Sequence, residues 1–383
     1  MATKIVLAPG GGIRLPGMAS LACEAPIRVP TRFLALWLLL LVPALASAQR
    51  LDWRARVALY GDNTEFFTPY RVGETILGTQ LQTWLEAKPG RRTELRLGFY
   101  ADRRLGSEQF TDTLLPVVSF RYRTEHSQGI IGTLETVRRH GLLEPLMVTT
   151  RELTTPVESG IQWIETRGIF RGEAWVNWQQ LNTPTQREAF EMGATLRVEP
   201  TEWATIEAQH LWSHRGGQLY DAGVPVSNNR VTALGATARR TLPTLGASSL
   251  AAWRFWSDGN IDPNYPANRP AKGHGTYLRA SVTPRGWVEV FAIHWRGRDF
   301  VAAAGDNNYN STGHDSAFYR SKRKYTELGL LRRTPIGGGV TFDAEARWHR
   351  IDDEESIAFF NTPWELSYRF IVRAPIDVVV RRR

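Results

Sequence analysis

An all-β fold, an antiparallel up-and-down barrel of about sixteen strands, is what this 383-residue sequence predicts. Three observations carry the expectation: apolar and polar residues alternate with a period of two, the links between alternating runs are short and long by turns, and an export leader precedes them. In Thr93 to Asp102, Leu95, Leu97, Phe99 and Ala101 fall on one face, and Glu94, Arg96, Tyr100 and Asp102 on the other. Val340 to Arg350 repeats the pattern, with Phe342, Ala344, Ala346 and Trp348 opposite Asp343, Glu345, Arg347 and His349. Ala189 to Val198 does the same. Successive side chains of a strand point to opposite faces, so this is the mark of strands whose two faces meet different surroundings.

The leader comes first in the chain. Arg28 and Arg32 precede the apolar run Phe33 to Val42, and a break at Pro43 is followed by Ala46-Ser47-Ala48. A basic segment, an apolar segment and an A-x-A site are the three parts of a secretory signal peptide. Ten apolar residues are too few to cross a hydrocarbon core of about 30 Å. Cleavage is expected after Ala48, with Met18 read as the initiator. The expected organisation is a leader over 1–48, a barrel over 49–373 and a basic C-terminal tail over 374–383. Cys23 is the one cysteine and lies ahead of the cut, which excludes disulfide scaffolds and thiolate chemistry in the mature chain. Removing the leader takes the formal charge from +9 to +6, since Lys4, Arg14, Arg28, Arg32 and Glu24 leave together.

The alternating runs predict strands at 52–60, 73–87, 92–102, 114–124, 129–137, 157–167, 171–180 and 188–198. The second half predicts 203–213, 230–240, 248–257, 275–284, 287–296, 323–333, 339–349 and 363–373. Many are about ten residues, the length a tilted strand needs to cross a membrane. Short turns stand at 88–91, 125–128, 167–170, 199–201, 284–286 and 334–338, and 241–247 is a longer member of that set. Longer polar loops occupy 61–72, 103–113, 138–156, 181–187, 214–229, 258–274, 297–322 and 350–362. Aromatic residues gather near strand ends, among them Trp53, Tyr60, Trp84, Tyr122, Trp203, Trp287 and Trp364. Rings at two levels are the girdles of a membrane barrel.

With these features the mature chain resembles the outer-membrane β-barrels of Gram-negative bacteria, and among them the sixteen-stranded porins. The resemblance implies integral outer-membrane localisation, short turns and both termini in the periplasm, and long loops outside. One departure is that porins usually end on an aromatic residue, whereas thirteen residues follow Phe370 here. In lipid every backbone polar group needs a partner, so the sheet must close. The expected pore lining is Arg96, Arg121, Arg123, Glu191, Arg197, Glu207, Arg254, Arg279, Asp343, Glu345 and Arg347. Both signs of charge are present.

Residues 138–156 contain Leu142, Leu143, Leu146 and Met147, which are out of place in a loop facing water. In the porins the corresponding loop folds into the lumen. The resemblance therefore implies a constriction lined by Arg138, Arg139, His140 and Glu144.

The expected function is passive or selective diffusion of small polar solutes, with no enzymatic activity, no metal and no cofactor. Outer-membrane lipid and lipopolysaccharide are the expected surroundings, a homotrimer stays open, and export argues against nucleic acid. Two alternatives stand beside the channel: an export barrel for a polysaccharide or other product, and an outer-membrane lipid-modifying enzyme. The phosphate-cradling glycine loop, G-x-S-x-G and H-E-x-x-H are absent from the sequence. Eight histidines are scattered, of which His210 and His294 are candidates for the lipid-facing side. A Ser–His–acid site could be assembled across strands, but no residue pattern selects one.

Overall fold

The computed structural model describes residues 50–66, 68–136, 139–263, 265–314, 318–351 and 364–382. The expected signal peptide lies outside the described residues, as does Arg138. The first half of the chain forms β1 (Arg50–Glu65), β2 (Glu74–Lys88), β3 (Thr93–Arg104), β4 (Thr113–Arg123), β5 (Ser127–Thr133), β6 (Ser159–Arg167), β7 (Phe170–Gln180) and β8 (Glu188–Thr201). The second half forms β9 (Ala204–Gly216), β10 (Ser227–Leu242), β11 (Gly246–Asn260), β12 (Lys272–Thr283), β13 (Glu289–Arg298), β14 (Lys322–Gly337), β15 (Val340–Ile351) and β16 (Trp364–Arg382). Each strand pairs antiparallel with its sequence neighbours, and β1 pairs β16 to close the barrel. A single helical turn, α1 (Arg151–Thr154), sits in the β5–β6 loop.

Closure reassigns the C-terminus. Residues 374–382, expected as a tail beyond the barrel, belong to β16, where Ala374 pairs Val57 and Arg382 pairs Arg50. The first half of β1 needs a hydrogen-bonding partner on that side, and only a final strand running past Phe370 supplies one. Both described chain ends, Arg50 and Arg382, therefore sit at the short-turn end.

The faces follow the sequence pattern. Leu114, Val118, Phe120, Ile131, Ile161, Met192, Leu196, Leu234, Leu250 and Leu328 are exposed on the outer wall, whereas Glu94, Ser119, Arg121, Gln162, Asn177 and Glu191 are buried within. Val118 stands mid-strand beside Leu97, so Val118→Arg should destabilise the inserted barrel by roughly 2–4 kcal/mol if it lies near the midplane. Unfolding from lipid vesicles in urea measures this, and an unchanged midpoint would reverse the facing assignment.

The interior departs from the expected ring of charge. Across β7 and β9–β15 the inner wall carries Trp175, Leu211, Val231, Trp253, Phe255, Tyr277, Phe291, Ile293, Trp295, Tyr325 and Ile351, all buried in one cluster with loop residues. Inward-facing Gly193, Gly235, Gly275 and Gly329 leave the spaces that the rings of Trp175, Trp253, Trp295 and Phe291 fill. Loops that fold inward turn this arc of the wall into a dry core.

Candidate functional site

Besides the β1–β2 loop, whose Phe66 and Tyr70 are buried inside, two longer loops enter the lumen. The described residues of one, between β5 and β6, are 134–136 and 139–158, and those of the other, between β13 and β14, are 299–314 and 318–321. They bind each other through Val148 N–H to Ala304 O (2.9 Å) and Asp306 N–H to Glu144 O (2.9 Å). Leu142, Leu146 and Met147 are buried against the wall, as their apolar character demands. Leu143 packs against the same cluster. The second loop is tied to β10 by Asn229, which donates to Val301 O (3.0 Å) and accepts from Ala303 N–H (2.8 Å).

The turn at Arg139, His140 and Gly141 has φ of 54°, 58° and 73°. Two consecutive non-glycine residues in the left-handed region are strained, and persist only where neighbours hold them. His140 is held on both nitrogens, by Glu173 at 2.5 Å and Glu158 at 3.1 Å, and its ring stacks on Trp175 at 3.9 Å. Arg139 donates to Met147 O. Burial works against a charged imidazole, but the hydrogen bonds that it donates to both carboxylates outweigh it and push the His140 pKa up to about 9. A folded value above the ordinary 6.5 means that this stabilisation is fully present below pH 6.5 and is lost as pH rises through about 9. Hydrogen exchange in residues 139–158 should therefore accelerate across about pH 9, beyond the intrinsic increase. A flat protection factor through that range would contradict the lock.

Glu144 reaches the opposite wall. Burial alone would raise its pKa, yet the Arg347 and Arg139 guanidiniums hold it down to about 2. Arg347 Nη1 donates to Glu144 (2.7 Å) and Glu327 (3.0 Å), while Nη2 donates to Glu345 (2.8 Å). Tyr309 O–H adds a bond to Glu144 at 3.2 Å. Farther along, α1 is pinned by Arg151 to Glu191 (2.8 Å) and by Arg373 to Glu152 (2.6 Å).

Below the loops, toward the short-turn end, lies a cavity of about 1680 Å³. Arg56, Glu207, Arg239, Arg279 and Asp343 line it from the wall, and Arg139, Glu144 and Glu152 from the loop. Most expected lining residues face inward but are paired. Arg96 binds Glu94 (2.6 Å), Arg121 binds Glu135 (2.7 Å), Arg123 meets Glu94 (3.6 Å) and Arg279 binds Glu289 (2.5 Å). Arg197 meets Glu207 at 3.9 Å. Arg254 is different. It alternates with buried Trp253 and Phe255, faces outward and donates to Thr276 (2.9 Å). The assumption that charge belongs inside misplaced it.

Above the Arg347 hub is an arrangement that no local motif announced. Ser367 Oγ stands 2.8 Å from His349 Nε2, and His349 Nδ1 stands 2.5 Å from the Tyr325 hydroxyl. That hydroxyl is 2.7 Å from Glu327 Oε2. With Glu327 ionised and the imidazole neutral, the proton arrangement that satisfies every contact has Ser367 donating to Nε2, Nδ1–H donating to Tyr325, and Tyr325 donating to Glu327. This is a hydroxyl, an imidazole and an acid in series, with a phenol between the last two. Phe66 lies 4.8 Å from the imidazole ring, and both His349 and Ser367 are buried. Three adjacent strands build it, with Glu327 paired to His349 and Ser367 to Arg347. Among the described residues no group of three or more His, Asp or Glu stands at metal-ligand spacing.

The profile of the lipid A 3'-O-deacylase-type family matches residues 44–374. The chain belongs to the lipid A 3'-O-deacylase-type family. That is an enzyme family, which overturns the expectation of no enzymatic activity. The deacylase-type chain matches no curated protein. Among solved structures, OmpF of Salmonella typhi in complex with daunomycin is 10% identical with a TM-score of 0.52, over 86% of this chain and 99% of that one. A loop L8 deletion mutant of OmpT, an outer membrane protein of Vibrio cholerae, is 8% identical with a TM-score of 0.52, over 85% and 99%. At such identity the likeness concerns the fold. The deacylase-type chain thus has the closed, sixteen-stranded antiparallel barrel fold that these outer-membrane proteins also have. His210 and His294, the outward candidates, each contact a threonine across a strand pair, Thr232 at 2.8 Å and Thr326 at 3.1 Å.

Proposed function

We propose that this protein is an outer-membrane carboxyl-ester hydrolase that removes an acyl chain from lipid A, with Ser367 as nucleophile. The observation that carries the reading is the 2.8 Å contact between Ser367 Oγ and His349 Nε2, backed by Tyr325 and Glu327. Family membership supplies the substrate class.

In the proposed reaction Ser367 Oγ attacks the ester carbonyl carbon while His349 Nε2 takes the hydroxyl proton. The imidazolium formed keeps Nδ1–H directed at Tyr325, whose own hydrogen bond to Glu327 couples it to a carboxylate. Collapse of the tetrahedral intermediate breaks the bond to the sugar oxygen, which leaves with the proton from Nε2. Water, deprotonated by the same nitrogen, then attacks the acyl-serine carbonyl; the bond to Ser367 Oγ breaks, Nε2 returns the proton to that oxygen, and a fatty acid is released. Burial of the pair keeps other water away from the ester intermediate.

A second reading, a channel for small polar solutes, draws on the large charged cavity at the short-turn end. The infolded loops argue against steady flow, because Leu142, Leu146, Phe300 and Tyr309 form a closed core with the wall. Here Arg139 and Glu144 would line the constriction, while His140 would hold its turn. Mass spectra of lipid A from cells with and without the protein test the hydrolase. Loss of one acyl mass on expression supports it, and an unchanged spectrum with ohmic conductance in a planar bilayer would support the channel.

A further inference from the structure

We infer that the outer wall of β9–β15, near the long-loop end, is a docking surface for the phosphate groups of outer-leaflet glycolipid. This inference does not rest on the hydrolase reading. It rests on where the basic side chains point. Along β11–β14, exposed Trp256, Leu278 and Leu328 share a phase with Arg254, Arg296, Arg298, Lys322 and Lys324, while Trp253, Phe255, Tyr277, Trp295 and Tyr325 face the core.

The register gathers these cations into two rows. Arg254 pairs Thr276, Thr276 pairs Arg296, and Arg296 pairs Lys324, so one row crosses four strands at one level. One step nearer the long loops, Trp256 pairs His274, His274 pairs Arg298, and Arg298 pairs Lys322. Neighbouring strands lie about 4.8 Å apart, so Arg254, Arg296 and Lys324 span roughly 15 Å of wall. Arg230, on β10, extends the stripe and sits over the Trp212 ring at 5.2 Å.

The level is that of headgroups. Exposed Leu250, Leu278 and Leu328 form the apolar band just below, while Leu234 pairs Arg254 at the level of the first row and Trp256 is exposed among the cations. Cations are costly in hydrocarbon and cheap at the interface, where tryptophan also collects. The opposite wall shows no such stripe. On β4–β8 the outward residues toward that end are Leu114, Pro116, Ile131, Ile161, Trp178 and Phe190. A one-sided stripe points to a specific ligand rather than to general solubility. Guanidinium and ammonium groups in a row, above an acyl-compatible band, match a lipid that carries phosphates on a sugar headgroup. Two acids accompany the rows: Asp258, above them, lies opposite Arg230, and Asp299 meets Arg298 at 3.7 Å.

The test compares bisphosphorylated and enzymatically dephosphorylated lipid A as probes, with the full-length barrel in detergent and native mass spectrometry as readout. Wild-type protein is expected to retain the phosphorylated probe at least about tenfold better than the dephosphorylated one. The triple variant R254A/R296A/K324A is expected to lose that preference, while R240A/R332A, at the short-turn end, keeps it. Equal retention of both probes by the wild type would overturn the inference even if the triple variant failed to fold. So would a folded triple variant that retains the phosphorylated probe as well as the wild type.

Discussion

Ser367→Ala is expected to lower acyl release from lipid A by on the order of 10⁴-fold or more, with the barrel otherwise intact. The hydroxyl oxygen is the only heavy atom lost, and its contact is to His349 Nε2 at 2.8 Å. His349→Ala should cost about as much, because members of such a relay act as a unit. Tyr325→Phe isolates the separate role of the phenol. The ring stays packed against Tyr309, but Nδ1 loses the partner that fixes its proton, so a loss between about 10²-fold and 10⁴-fold is expected. Fatty-acid release from vesicles containing lipid A measures all three. Comparable rates in Ser367→Ala and the wild type would remove Ser367 from the chemistry.

Arg347→Ala should have the largest effect on stability. One guanidinium joins Glu144 from the loop to Glu327 and Glu345 on the wall, and its removal leaves three carboxylates crowded in a low-dielectric interior. Breaking a buried ion network from one side costs about 3–5 kcal/mol, mainly because the charges left behind are uncompensated. The urea midpoint should fall accordingly, and protease should gain access to residues 139–158. Because Glu327 Oε1 is held by Arg347 while Oε2 receives Tyr325, hydrolysis should fall as well. A midpoint within about 0.5 kcal/mol of wild type would show that the loop is held by its apolar face alone.

The barrel was legible because alternation is a local property. Leu95, Leu97 and Phe99 against Glu94, Arg96 and Tyr100 can be read within ten residues, and each link length is local too. The inward loop was legible for a similar reason, since Leu142, Leu146 and Met147 have no place on a wetted loop. The relay was not. Tyr325 and Glu327, His349, and Ser367 lie on three strands, and only register brings them within hydrogen-bond reach. The available signal was that His349 shares the polar face of its strand with Arg347 and Glu345, so it had to point inward toward neighbouring strands. Arg254 failed through a physical assumption. Charge by itself does not mark the lumen, because cations are tolerated on an outer wall near the interface, and Arg254 stands exposed between buried Trp253 and Phe255.

Covalent trapping of the nucleophile tests the central claim most directly. Purified full-length protein in lipid A vesicles would be treated with a fluorophosphonate, which phosphonylates a serine only when an adjacent base activates it, and the adduct would be located by peptide mass spectrometry. The expected result is a single adduct on Ser367 that disappears in His349→Ala and is slowed by added lipid A. An adduct on another serine, or none in a preparation that releases fatty acid, would contradict the assignment of Ser367 as the nucleophile.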